Sequence, residues 1–313
     1  MQVSDKVAAD TPVTGSTVSE APPRWALGIS LSATGAVAKR LVKRIAMKVL
    51  PDAVMQSLKK VHYARMLKRL TDDREPDIKL VRFLLRPGKC VLDIGANIGV
   101  ITKFSSEIVG RQGHVYSIEP VPTTFDVLSS NVKKFGLANV DVINCAISDA
   151  EGTVTMEVPR YKGGGENFYE ARIISDSSAI RGHRLMSIKA RTIDALFGGS
   201  PEIISFIKCD VEGHELKVIR GALLVIEKHR PAWLIEIAGD PDDPASAAFE
   251  TFRLLESKDY SSFWFDGRNF YERLPGDKSI NYFFLMPEHL AALLEGGFPA
   301  SQIRRHHQHD GAA

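Results

Sequence analysis

From Ile78 onward the chain alternates between two hydrophobic periods. Short apolar runs bounded by turn residues, at Cys90–Leu92, His114–Ile118, Val140–Ile147, Ile203–Cys209, Ala232–Ile237, Ser262–Phe265 and Tyr282–Leu285, read as strands. Between the first of them, apolar residues recur at three- and four-residue spacing over Ile78–Leu85, Gly99–Ile108 and Thr123–Phe135, which predicts helices, the first stopped by Pro87-Gly88 and the last closed by Gly136. Thr153–Val158 alternates apolar and polar positions, whereas the Gly-rich Tyr161–Gly165 and the polar Ser175–Arg184 read as loops, the kind of segment that supplies substrate contacts over a strand end. Strands interleaved with helices predict an α/β fold, a parallel sheet with crossover helices on its faces.

Upstream the pattern changes. Residues 1–24 are rich in Ser, Thr, Ala, Pro and acids without periodicity, the composition of a disordered segment. Val37, Leu41, Ile45 and Val49 then recur every fourth residue among Lys39, Arg40, Lys43, Arg44 and Lys48. Pro51 interrupts this helix, and a second helical run, Val54–Leu70, adds Lys59, Lys60, Arg65, Lys68 and Arg69; the only acid across both runs is Asp52. The expected organisation is a disordered 1–24, a basic helical extension over 25–76, the α/β domain over 77–290 and a tail over 291–313. A basic amphipathic pair of helices can dock on the domain, contact an acidic substrate, or rest on an anionic membrane surface as a peripheral contact.

Composition narrows the class. The 313 residues are 44% hydrophobic and 25% charged with a formal net charge of +2, ordinary for a globular domain and no argument for a nucleic-acid partner. Cys90, Cys145 and Cys209 are odd in number and lack CxxC spacing, so buried reduced thiols are expected rather than disulfides or a zinc site. No apolar run reaches transmembrane length, and the polar first residues do not read as a signal peptide, so the expected location is cytoplasmic.

The chemistry concentrates after the first strand. In Cys90-Val91-Leu92-Asp93-Ile94-Gly95-Ala96-Asn97-Ile98-Gly99 an apolar run ends in Asp, turns through glycines and enters a helix, and the next strand ends in Ser117-Ile118-Glu119-Pro120. Glycines let the backbone approach a nucleotide-like ligand at a helix N-terminus, and Glu119 can accept hydrogen bonds from both ribose hydroxyls. The turn is not the GxGxxG of a dinucleotide site, and Asp93 would repel a pyrophosphate. It suits a cationic amino-acid head. S-adenosylmethionine offers an ammonium, a sulfonium and a ribose diol, matching Asp93, the turn and Glu119 in order.

A second segment, Phe206-Ile207-Lys208-Cys209-Asp210-Val211-Glu212-Gly213-His214-Glu215, ends a buried strand and starts a helix, bringing Asp210, Glu212 and His214 to the same sheet edge. Glu215 fits a helix first turn. Glu236 finishes the buried run Ala232-Trp233-Leu234-Ile235 and needs a partner there.

Taken in order, VLDIGANIGVIT, SIEP, IKCDVEGHE and LIEI resemble the FkbM family of S-adenosylmethionine-dependent methyltransferases, over roughly Arg86–Ile237. The resemblance implies a Rossmann-like, seven-stranded, mostly parallel sheet with its last strand antiparallel, and methylation of a hydroxyl on a sugar, glycolipid or polyketide. It implies that Asp93, Gly95, Asn97 and Gly99, with Ala96 between them, surround the methionine portion, that Glu119 beside Pro120 takes the ribose, and that Ala146 and Ile147 with Ser148 or Asp149 border the adenine. The expected reaction is in-line displacement at the sulfonium methyl by a substrate hydroxyl whose proton passes to Asp210, Glu212 or His214. Alternatively, Asp210 and Glu212, with Glu236, hold a divalent metal that acidifies the hydroxyl.

Three other readings share features with this one. A nicotinamide oxidoreductase would use the same turn and Glu119 but lacks GxGxxG. A nucleic-acid amino-methyltransferase would keep the cofactor half but place a stacking aromatic where this chain has CDVEGHE, so no nucleic acid is expected. A non-enzymatic cofactor- or glycan-binding module is separated from an enzyme by an activity assay.

Overall fold

The computed structural model describes residues 52–71, 76–160, 166–167, 170–174 and 183–305. The expected disordered segment 1–24 and the helical run through Val37–Val49 lie outside the described residues, as do Tyr161–Gly165 and 175–182 of the two expected loops.

Helices α1 (Asp52–Arg69) and α2 (Pro76–Leu84) lead into β1 (Cys90–Ile94), α3 (Val100–Val109), β2 (His114–Ile118), α4 (Pro122–Phe135) and β3 (Val140–Ile143). A β excursion follows: β4 (Ala146–Ile147), β5 (Gly152–Val158), β6 (Arg172–Ile174) and β7 (Arg184–Arg191). The chain returns through α5 (Ile193–Phe197), β8 (Ile204–Cys209), α6 (Glu215–Arg220), α7 (Leu223–His229), β9 (Ala232–Glu236) and α8 (Ala247–Glu256). It closes with β10 (Ser261–Phe265), β11 (Phe270–Glu272), β12 (Asn281–Leu285), α9 (Pro287–Glu295) and β13 (Ile303–Arg304).

The main sheet runs β13-β11-β10-β12-β9-β8-β1-β2-β3. Strands β3, β2, β1, β8 and β9 are mutually parallel, and β12 runs antiparallel between β9 and β10. The seven expected strands are thus present, with the antiparallel one in place, and β11 and β13 extend the sheet by two at the β10 edge. The packed unit also runs past residue 290: Leu293 and Phe298 belong to the core, and the chain pairs with the sheet as far as Arg304.

Strict alternation explains why the strands read as continuous apolar runs. In β1, Leu92 and Ile94 enter one core and Val91 the other; in β8, Ile207 and Cys209 face Phe206; in β9, Trp233 and Ile235 face Leu234. Both faces are covered by helices, the condition under which parallel strands lose their polar face. The three cysteines are buried and free, as expected.

Where Val140–Ile147 read as one strand, the chain breaks at Asn144-Cys145: β3 stays in the main sheet and β4 joins a second sheet of order β4-β7-β5-β6. The apolar face of that sheet, Met156, Val158 and Ile188 with Ala171, packs on Val121 and Ala146. It sits at the carboxyl ends of the main strands, over Val121, two residues beyond Glu119.

Candidate active site

Strand β1 lies between β2 and β8, so the chain leaves it in one direction and returns later on the other side, and the crevice outside the strand ends at such a point is where α/β sheets bind ligands. The turn after β1 is clamped from both sides. The amides of Gly95 and Ala96 both donate to the Ile118 carbonyl at 3.0 Å, and the Asp210 amide donates to the Ile94 carbonyl at 3.1 Å. Gly95 and Asn97 have φ of 71° and 51°, a left-handed conformation that Asn tolerates better than most residues. A Cβ on Gly95 would stand 1.8 Å from the Asp210 carbonyl oxygen, which is backbone and cannot swing aside. Gly95→Ala is therefore expected to lower stability by at least ~2 kcal/mol, combining left-handed strain with forced separation of β1 and β8, read as a lower Tm in thermal unfolding.

The conformation of the turn aims the Asn97 amide at Glu119. That N–H donates to Oε2 at 3.0 Å and the Val121 amide donates to Oε1 at 2.9 Å, so a carboxylate only 5% exposed is oriented by two backbone bonds while each oxygen keeps a lone pair. Burial raises its pKa to about 7, against the lowering effect of both amides.

Around it opens a cleft of about 570 Å³, including the open space at its mouth. Of the residues expected at a cofactor, Gly95, Asn97, Glu119, Pro120, Ala146 and Ile147 line it. Asp93 does not. It is fully buried beneath the turn, where Oδ2 accepts the Thr102 hydroxyl at 2.6 Å and Oδ1 lies 3.9 Å from the Lys208 ammonium. Asp210, which Lys208 also holds, reaches the cleft where Asp93 does not. Ala96 is buried within the turn, Gly99 caps α3, and Asp149 accepts the Ser148 hydroxyl at 3.0 Å away from the lining.

Asp210 and Glu212 also line the cleft, but His214 is turned away. Its Nε2 lies 2.9 Å from Ser148 Oγ, a hydroxyl already directed at Asp149, so the imidazole acts as donor. Burial first, and Lys217 after it, push His214 down to about 4. It is a neutral tie between the excursion and the β8 loop, outside the cleft lining.

The remaining carboxylates come together. One oxygen each of Asp210, Glu212 and Glu236 lie within 4.8 Å of one another. The reason is register: Cys209 pairs with Ile235, and the next residue on each strand is an acid. Burial, then Asp210 and Glu236, raise Glu212 to about 8; burial and Asp210 raise Glu236 to about 7. Glu212 has φ 55°, is exposed at the cleft, and makes no hydrogen bond or ion pair among the described residues. Oxygens this close can lie on opposite sides of one divalent cation.

Two contributors have no counterpart among the expected site residues. Lys208 pairs in register with Asp93, donates to the Gly95 carbonyl at 2.9 Å and to Asp210 Oδ2 at 3.0 Å, and so ties turn, buried acid and cleft acid together. Met156, Ala171 and Ile173 of the second sheet form the roof. Ala171 and Ile173 lie between the two segments expected as loops, and Arg172–Ile174 reaches the cleft as a strand paired to β5.

The chain matches the family model of the methyltransferase FkbM domain over residues 93–262. It is 31% identical over 110 residues to the probable cobalt-precorrin-6B C(15)-methyltransferase (decarboxylating) of Sulfurisphaera tokodaii, covering 35% of this chain and 57% of that one. It is 28% identical over 158 residues to the hexuronic acid methyltransferase AglP of Haloferax volcanii, covering 49% and 59%. The chain thus spans somewhat more than half the length of these relatives. Among solved structures, a methyltransferase FkbM from Methylobacillus flagellatus KT aligns with a TM-score of 0.40 at 18% identity, covering 64% of this chain and 45% of that one.

Proposed function

The chain belongs to the methyltransferase FkbM domain family, and from that premise we propose that its cleft binds S-adenosylmethionine and directs methyl transfer to a hydroxyl oxygen of a glycan or similar polyol. The bound cofactor supplies an electrophilic methyl group on a sulfonium. The observation that carries the reading is the Glu119 carboxylate, fixed by the Asn97 and Val121 amides with free lone pairs for a ribose diol. The apolar Ala146, Ile147 and Met156 beyond it suit a flat base.

On the acceptor side, Glu212 is the proton acceptor. It lines the cleft, has no hydrogen-bonding partner to compete for it among the described residues, and its raised pKa of about 8 makes it a stronger base than an ordinary carboxylate. Asp210, anchored by Lys208, orients the hydroxyl. Three carboxylates at this edge oppose a carboxylate on the acceptor near the reacting oxygen and favour a neutral or cationic neighbourhood there. AglP is a hexuronic acid methyltransferase; an acceptor of that kind would need its acid group placed away from this edge.

A second reading is favoured by the proximity of Asp210, Glu212 and Glu236: the trio would hold a divalent cation that lowers the hydroxyl pKa. The test is transfer of a tritiated methyl group from S-adenosylmethionine to a panel of neutral, amino and uronic sugar glycosides. Glu212→Gln is expected to lower kcat by about 10²–10⁴ with cofactor affinity retained. Activity abolished by a chelator and restored by Mg²⁺ would select the cation reading. Cofactor binding without transfer to any hydroxyl would leave the chain a binding module and remove the proposal.

A further inference from the structure

Helix α1 has two differently built faces. Inward, Leu67 packs with Ile98 and Val127, Ala64 is buried, and the Gln56 side-chain amide donates to the Thr123 carbonyl at 2.7 Å. The second expected helix is therefore docked on the domain, against α4 and the end of the glycine turn. Outward, Val54 is 42%, Leu58 52% and Val61 40% exposed, followed by exposed Arg65, Lys68 and Arg69. At 100° per residue, positions 54, 58, 61, 65 and 68 fall within a stripe about 80° wide, parallel to the helix axis. The outer face is apolar in its first half and basic in its second, and the helix carries no acid beyond Asp52.

We propose that this face is a seat for an anionic lipid surface, with Val54, Leu58 and Val61 entering the headgroup boundary and Arg65, Lys68 and Arg69 meeting lipid phosphates. Charge complementarity selects this occupant. An exposed apolar patch continued along the same stripe by cations and free of acids complements a surface that pairs an apolar interior with anionic phosphates. A second copy of the chain fits poorly: antiparallel pairing about Val61 would lay Val54 and Leu58 on Lys68 and Arg65 of the other copy, and parallel pairing would oppose like charges. None of the helices among the described residues is long and apolar enough to cross a membrane, so the contact lies along the surface. The seat is anchored through Thr123, two residues beyond the cleft-lining Val121, so the helix and the cleft both meet the start of α4. The lipid contact stands whether or not methyl transfer to a glycan is correct.

The experiment is flotation of the full chain with vesicles of phosphatidylcholine alone and of phosphatidylcholine with an equal part of phosphatidylglycerol. Binding is expected only with phosphatidylglycerol, weakening with salt. It should fall at least tenfold in Leu58→Glu/Val61→Glu and in Arg65→Gln/Lys68→Gln/Arg69→Gln. Leu224→Glu, which changes a leucine 61% exposed on α7, should bind as the parent does. Unchanged thermal unfolding and S-adenosylhomocysteine affinity in each variant would show that the fold is kept. No binding to the anionic vesicles, or binding that neither α1 variant reduces, overturns the proposal. So does a dimer in sedimentation that Leu58→Glu converts to monomer, which would make the occupant a second copy.

Discussion

Glu119→Ala is expected to weaken S-adenosylhomocysteine binding by about 10²–10⁴, measured by calorimetric titration. The carboxylate offers two charge-assisted hydrogen bonds to a ribose diol, roughly 1.5–3 kcal/mol each, and its loss also leaves the Asn97 and Val121 amides without their acceptor. Affinity should depend on pH. In the free protein burial holds Glu119 at about 7, whereas two donated hydroxyls favour the ionised form, so binding below pH 7 must expel a proton. Affinity is expected to fall, by up to about tenfold per unit, as pH drops below 7, and Glu119→Gln should lose that slope. The free protein shows the converse. A carboxyl whose folded pKa lies above its unfolded value of 4.5 holds a proton in the native state that the unfolded chain has released, so its stability contribution declines as pH rises from about 4.5 to about 7. NADH binding in place of S-adenosylhomocysteine, or an unaffected Glu119→Ala, would refute the assignment.

Lys208→Met is expected to cost about 3–5 kcal/mol, a fall in Tm on the order of 10 °C. Burial alone would favour the neutral amine, but Asp210 and Asp93 outweigh it and raise the pKa of Lys208, so it is charged in the fold. Remove it and Asp93, fully buried, keeps only the Thr102 hydroxyl as a hydrogen-bond partner among the described residues while the Gly95 carbonyl loses its donor. The double variant Asp93→Asn/Lys208→Met should recover part of the loss, because the buried charge goes with its partner. If Lys208→Met unfolds within about 1 kcal/mol of the parent, Asp93 is held by some other means and the electrostatic tie is refuted.

How far the sequence showed this site depended on what each residue's neighbours had to be. Glu119 and the glycine turn were legible because their roles are local: a strand end, a turn and a helix lie within one stretch of chain. Asp93 was visible as an acid but misplaced. Its parity with Val91 puts it on the α2 face beneath the turn, and only the Asp93–Lys208 register reveals its partner. Lys208 itself sits in an apolar strand where a lysine is unexpected, a signal that IKCD carries. His214 had the right residue type, but its bond to Ser148 joins positions 66 apart and no local pattern encodes it. The roof was half legible. Thr153–Val158 alternates, and so do Met186, Ile188 and Ala190 of β7, yet a loop was expected up to Arg184 and the pairing that makes a second sheet is non-local. The break at Asn144-Cys145 was hidden because both halves of Val140–Ile147 are apolar, each for a different sheet.

The short parallel pairing of Ala146 with Ala190 and Ile147 with Arg191 fixes where the β excursion starts and stops, side by side at the rim of the main sheet. Whatever lies between those two points returns to its origin, so its length and sequence can be exchanged without altering the path of the strands on either side. Glu119, the glycine turn, Asp210 and Glu212 all lie outside it. The fold is thereby divided into a fixed half and a replaceable sleeve, and grafting a different 148–189 that keeps Ser148, the tie to His214, and Met156 in the cleft lining is a route to a new acceptor preference under the proposed methyl transfer.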